Sequence, residues 1–304
     1  MAAVLLTGAC SRSSSPTSAP ASVDPSTFAL EMGSTDLYIG HPLRIQVGIF
    51  QSSQQGGVQL LTSGTVQMRL APYGGGAGTP IEGSAHYLGA PGTQADTGTP
   101  HLSDPGTARG VYELDGTFDR SGVWQATAAF TVDGTPLSLS AVFPVLAKPK
   151  LPAPGEPAFH TKNLTMASGV DPAWIDSRAQ DGAAVPDPEL HRDTIAGAIA
   201  AHRATLVLFA TPVYCQSQFC GPSVDALAQI AKAGPKDADY IHIEIYKDFA
   251  TQTVNDAARQ WVIRPQTASD PWLFLIGRNG RIADRWGPLF DPAQVLSELR
   301  TVAG

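Results

Sequence analysis

The chain has 304 residues, which leaves room for two domains, and 43% of them are hydrophobic, enough to bury a sizeable core. A net charge of -7, with 20 Lys and Arg against 27 Asp and Glu, leaves no basic stripe and argues against nucleic acid as a partner. With 30 Gly, 25 Pro and only 15% charged residues, a β-rich extracytoplasmic half is expected.

Residues 1–25 read as a signal and a Ser/Pro-rich tether. The run Leu5-Leu-Thr-Gly-Ala-Cys10 follows an apolar stretch and resembles the lipobox of bacterial lipoproteins, whose cysteine is lipidated after signal cleavage. The resemblance implies a lipid anchor at Cys10 on the extracytoplasmic face of the cell membrane. No Lys or Arg precedes the apolar run, a departure that a start placed too far downstream would explain. No other segment is long enough to span a bilayer.

Residues 26–147 carry short apolar alternations separated by Gly, Pro, Ser and Asp clusters. Alternation at period two marks half-buried strands, expected at 43–50, 65–70, 110–114, 122–132 and 137–145. An antiparallel β-sandwich of about seven strands is expected. The run from Gly110 to Trp124 resembles the closing strands of small immunoglobulin-like sandwiches of the YtkA and FixH type. Trp124 and Tyr112 read as core residues, and 75–105 as a long Gly/Thr-rich mobile loop. His41, His86 and His101 lack metal-ligand spacing.

A proline-rich connector begins at Lys148, and the stretch 148–190 separates the domains without clear periodicity. Asn163-Leu-Thr165 is a glycosylation sequon, and no role follows for the rest.

From Asp193 the pattern changes to alternating helix and strand. A helix over 194–202 precedes an apolar strand at 205–209. Then comes Cys215-Gln-Ser-Gln-Phe-Cys220-Gly-Pro222, followed by a helix with Val224, Leu227, Ala228 and Ala231 on one face. Further expectations are a strand at 240–246, a helix burying Val254, Ala257, Ala258, Trp261 and Val262, and strands at 271–276 and 281–286. Asn279-Gly280 between those strands signals a type I′ turn. A last helix starts at Asp291-Pro-Ala-Gln294 and buries Val295, Leu296, Leu299 and Val302.

Five positions along a continuous helix advance about 7.5 Å and rotate about 140°, whereas a disulfide needs Cα atoms within about 7 Å. Cys215 and Cys220 can therefore bond only if the chain between them loops back, with Cys215 in the loop and Cys220 at the helix entrance. A helix N-terminus favours the thiolate, the species that attacks disulfides.

The order β-α-β-α-β-β-α over 191–304, with cysteines after the first strand and a proline opening the third, resembles the thioredoxin superfamily and its TlpA-like envelope members. The fold class expected is α+β, an N-terminal β-sandwich followed by a thioredoxin-like α/β domain. Cys220-Gly221-Pro222-Ser223 falls where thioredoxins have Cys-Gly-Pro-Cys, and Asp270-Pro271 where the family has its cis-proline beside the active site. Ser223 replaces the resolving cysteine, leaving Cys215 as its substitute. Leu208 replaces the family's buried acid, and Tyr214 with Phe219 are expected to supply the aromatic cover.

The function implied is an envelope thiol-disulfide oxidoreductase using a Cys215/Cys220 redox pair, with Pro271 at the catalytic site and Cys220 slightly favoured as the attacking thiol. Its partners would be protein thiols or disulfides, with a membrane electron donor; no cofactor and no metal are expected. Three alternatives stay open. Q-type peroxiredoxins share the cysteine spacing, although Thr211 lies four rather than three residues before Cys215; Arg278, Arg281 and Arg285, the arginines such chemistry would need, read as a solvated hairpin face. Sco-type copper chaperones use Cys-x3-Cys plus a distant histidine, but His242 reads as a packed residue on an Ile-rich strand. A structural staple in a non-catalytic binding module is the third. Glu244 and Asp248 read as surface or strand-end residues.

Overall fold

A computed structural model describes residues 23–52, 57–93, 98–106, 109–215, 217–264 and 271–304. Cys10 and the lipid-anchor expectation lie outside them, as does Asp270 and with it the peptide bond to Pro271. Among the described residues no helix is long and apolar enough to cross a membrane.

The protein is a mixed α+β chain whose N-terminal half is antiparallel sheet. Nine strands form it: β1 (Phe28–Met32), β2 (Pro42–Ser52), β3 (Val58–Thr62), β4 (Thr65–Pro72), β5 (Ile81–Gly89), β6 (His101–Ser103), β7 (Gly110–Thr117), β8 (Gly122–Val132) and β9 (Thr135–Val145). They hydrogen-bond as one continuous path, β6-β3-β2-β7-β5-β4-β8-β9, with β1 added to β2, rather than as two separate sheets of about seven strands. The path curls on itself: Phe28 of β1 lies 6.1 Å from Phe130 of β8, near the far end. Alternation works as expected in β4, where Val66, Met68 and Leu70 are buried and Thr65, Gln67 and Arg69 exposed. Trp124 and Tyr112 are core residues; Trp124 packs edge-on to Phe118 at 4.9 Å, and the Tyr112 hydroxyl donates to the Ser63 carbonyl.

The expectation of a long loop over 75–105 is corrected, since β5 and β6 lie inside it. Gly83 hid the alternation of β5. It occupies a half-buried position where a Cβ would stand 2.8 Å from the Leu114 side chain, so a glycine sits where a hydrophobic residue would have signalled the strand.

In the C-terminal half, β10 (Thr205–Ala210), β11 (Asp239–Glu244), β14 (Trp272–Ile276) and β15 (Ile282–Trp286) form a sheet in the order β11-β10-β14-β15; β12 (Tyr246–Asp248) and β13 (Thr253–Val254) pair separately. β10 and β11 are parallel, and β14 and β15 join antiparallel. The helices are α1 (Ile195–Ala200), α2 (Cys220–Ala233), α3 (Asp256–Trp261) and α4 (Pro292–Ala303). One core packs α2 and α4 on one face of the sheet through Val224, Leu227, Val295 and Leu299. A second packs α1 and α3 on the other face through Ile195, Ala258 and Trp261. Alternate β10 residues serve the two cores, which is why its run is buried throughout.

The β14–β15 turn differs from the expectation. Only Gly280 has positive φ (72°), and Gly277 N–H bonds the Arg281 carbonyl, so Arg278-Asn279-Gly280 is a three-residue turn ending in a left-handed glycine rather than type I′.

Of the hairpin arginines, Arg278 and Arg281 are exposed as expected, and only Arg285 is corrected. Arg285 is buried, and its guanidinium donates to Asp36 Oδ2 at 2.8 Å and to the carbonyls of Leu151, Pro152 and Asp36. The guanidinium carbon lies 5.1 Å from the ring centre of Tyr38 and 5.3 Å from that of Trp272, joining the two halves. Arg281 donates to the Gly155 carbonyl, and Arg278 bonds the Ala303 carbonyl and Asp237. Nearby, Arg44 of β2 grips Asp284 at 2.7 Å and Glu298 at 3.0 Å, and Gln46 donates to the Leu289 carbonyl.

Candidate functional site

Strand β10 ends at Ala210, and residues 211–219 connect it to α2. Gln218 takes a positive φ of 62°, turning the chain back so that the Cα atoms of Cys215 and Cys220 stand 5.9 Å apart and their sulfurs form a disulfide. Cys220 is the first residue of α2. Gly221 and Pro222 follow, and the proline sits in the first turn, where a missing N–H costs nothing. Phe219, at the capping position, makes no side-chain cap; instead the Cys220 N–H donates to Cys215 Sγ at 3.2 Å. The sulfur thus takes the place of a cap acceptor at the positive end of a 14-residue helix.

The two sulfurs differ in access. Cys220 is 0% exposed, inside the core of α2 and α4, whereas Cys215 is half-buried and touches the Ser217 hydroxyl at 3.2 Å. The helix entrance points the Cys220 side chain into the core, which leaves Cys215 as the more accessible of the two sulfurs. Ser223, in place of a second cysteine, is buried, and its hydroxyl has no hydrogen-bond partner among the described residues.

The aromatic neighbours divide. Tyr214 stacks on Phe249 at 4.4 Å, propping the loop against the β12–β13 turn, while Phe219 packs with Ala90, Val111 and Leu289 between the two halves. Pro271 is buried immediately before Trp272, which pairs with Phe209, so it flanks the end of β10 where the cysteine loop begins. A groove of about 430 Å³ runs beside the loop. Met32, Phe50, Val111 and Arg109 from the β-rich half line it together with Gln218 and Phe219.

Beneath the loop lies a buried polar cluster that the sequence did not suggest. Asp176 caps a 3-10 turn (Ser177–Gly182), His191 ends another (Pro188–His191), and His242 sits in β11; all three side chains are 0% exposed. His191 Nε2 and His242 Nδ1 approach the same oxygen, Asp176 Oδ2, at 3.5 and 3.4 Å. Arg178 grips the carboxylate with both ends of its fork, Nη2 2.7 Å from that same Oδ2 and Nε 3.0 Å from Oδ1. Burial alone would raise the Asp176 carboxyl, but His191, His242 and Arg178 outweigh it and hold the group far below the usual carboxylate range.

The cluster is tied to the cysteine loop. His242 Nε2 lies 3.3 Å from the Ala210 carbonyl, and Val213 N–H donates to the Ser177 hydroxyl. Glu244, expected at the surface or a strand end, does end β11 but is buried, because residues 176–177 cover the strand's edge; it accepts N–H groups from Ser177, Ile245 and Tyr246. Burial raises its carboxyl above the ordinary value. Asp248 does sit at a strand end, exposed. His41, His86 and His101 stand apart from this cluster; His41 lies beside Tyr38, and His86 and His101 are exposed on strands.

No family model matches the sequence, and no curated protein matches it.

Sequence reading missed Asp176 and His191 because neither lies on a periodic segment. Their one local signal is turn chemistry, an Asp-Ser-Arg run and an Asp-Pro pair that start 3-10 turns.

Proposed function

We propose that the protein is an extracytoplasmic thiol-disulfide oxidoreductase, lipid-anchored through Cys10, that acts through Cys215 and Cys220. The carrying observation is the asymmetry of the pair. A half-buried Cys215 sulfur receives the first N–H of α2, and Cys220 is fully buried, which favours Cys215 as the attacking sulfur and Cys220 as the resolving one. The sheet order β11-β10-β14-β15, with the cysteine loop after β10 and Pro271 opening β14, supports a thioredoxin-like domain.

From the disulfide state, a substrate thiol loses its proton and attacks Cys215 Sγ. The Cys215–Cys220 bond breaks, a mixed disulfide forms on Cys215, and Cys220 leaves with the electron pair and takes up the proton. A second substrate thiol then attacks the substrate sulfur of the mixed disulfide and releases Cys215 as a thiol. Two substrate thiols become a disulfide and the cysteine pair is reduced by two electrons; the reverse sequence reduces a substrate disulfide. A membrane electron carrier would restore the starting state.

The test is a Cys220→Ser variant, which leaves Cys215 unable to be resolved. Mixed disulfides with envelope proteins should accumulate on Cys215 and disappear in Cys215→Ser. Accumulation on Cys220 of a Cys215→Ser variant, with none on Cys215, would overturn the assignment of roles.

A further inference from the structure

We propose that Asp176, His191 and His242 form a binding site for a divalent first-row transition ion, Zn²⁺ being the first probe, buried beneath the cysteine loop and independent of the two sulfurs. The three ligand atoms, His191 Nε2, His242 Nδ1 and an Asp176 oxygen, lie within 4.8 Å of one another. Two imidazoles and a carboxylate are a donor set for a borderline cation, and no thiolate takes part.

Hydrogen-bond accounting carries the inference. A carbonyl only accepts, so the 3.3 Å contact from His242 Nε2 to the Ala210 carbonyl places the ring proton on Nε2. His242 Nδ1 then faces Asp176 Oδ2 3.4 Å away, a gap that a proton on the nitrogen or a cation between the two atoms must fill. Neither Nδ1 of His242 nor either ring nitrogen of His191 makes a hydrogen bond among the described residues, although both side chains are fully buried. Buried polar atoms left this way are destabilising, and a cation between them satisfies His191 Nε2 and His242 Nδ1 together.

The spacing fits. Ligands bound tetrahedrally at about 2.0–2.1 Å stand about 3.4 Å from each other; the two nitrogen-to-oxygen distances are 3.5 and 3.4 Å. The outer contacts fit too, since a metal-binding histidine donates its second N–H to a carbonyl, as His242 does, and a ligating carboxylate is itself oriented, as Arg178 orients Asp176. The segment that crosses from the connector to α1 then has a purpose: it brings two ligands to the third on β11.

Because the site is enclosed, the ion is expected to load as the chain folds. The full chain, unfolded with chelator and refolded with or without Zn²⁺, should retain one equivalent by mass spectrometry after desalting and melt at a higher temperature than the metal-free form. Refolding with Co²⁺ should give visible d–d absorption without a sulfur-to-metal band, a reading on the wild-type chain that needs no variant. His191→Ala and His242→Ala should lose the bound metal and the thermal shift, and Cys215→Ser/Cys220→Ser should keep both. Less than a tenth of an equivalent in the wild type, or retention that depends on the cysteines, would overturn the proposal and leave the cluster as an Asp-centred charge network.

Discussion

Replacing Asp36 with Ala would remove the carboxylate at the centre of the contact between the two halves. Asp36 accepts from the backbone N–H groups of Lys150 and Leu151 and from Arg285 Nη1, and both charged side chains are almost wholly buried. The variant strands a guanidinium in a dry setting. Breaking a buried pair from one side costs about 3–5 kcal/mol, and the two orphaned N–H groups place the expected loss in the upper part of that range. An Asp36→Leu/Arg285→Met double variant removes both charges and should recover all but about 1–2 kcal/mol. Urea unfolding followed by tryptophan fluorescence provides the assay, since Trp272 and Trp286 lie at the junction and Trp124 in the β core. The single variant should lower the midpoint and separate the transitions of the two halves. A loss below about 1 kcal/mol, the range of exposed pairs, would refute the view that this pair holds the halves together.

Two further outcomes follow from neighbouring residues. Burial and the Asp284 carboxylate push Glu298 up to about 7 against the opposing pull of Arg44, so the Asp284/Glu298 pair retains a proton in the folded state that the unfolded chain has lost. Stability from this group is therefore present at acid pH and falls as pH rises from about 4.5 to about 7. With 30% of the Glu298 side chain exposed, solvent screening leaves about 1–2 kcal/mol of that slope. Glu298→Gln should flatten it in melts taken from pH 5 to 8, and an unchanged slope would contradict the assignment. Gly110→Ala should cost about 1–3 kcal/mol by overpacking, because its Cβ would stand 2.5 Å from the Leu88 carbonyl and the Tyr87 ring; thermal stability equal to wild type would show that β5 and β7 can spread.

The sequence made the cysteine loop legible because its geometry is local. A disulfide over five positions requires a returning chain, and Gly-Pro after the second cysteine marks a helix start. Strands β4 and β8 were legible through strict alternation, and α4 through Asp291 and Pro292. Strand β5 was not, since Gly83 interrupts the pattern for the sake of Leu114. Arg285 and Glu244 misled for a common reason: a charged residue on a short strand reads as solvated until a distant segment covers it, here residues 36 and 151–152 for the arginine and 176–177 for the glutamate. That Cys220 is buried and Cys215 half-buried was not legible, because motif position does not reveal which way a side chain at a helix entrance points. Asp176 and His191 reach His242 only through the tertiary path of the connector, which no spacing encodes.

The most direct test of the redox reading is the reduction potential of the Cys215/Cys220 pair. The full chain would be equilibrated in glutathione or dithiothreitol buffers and its free thiols counted by mass spectrometry. A half-exposed sulfur at a helix N-terminus predicts a value between about -270 and -120 mV, the span of known thiol-disulfide catalysts. A value below about -300 mV, the range of structural disulfides, would contradict it and make the pair a staple for the loop.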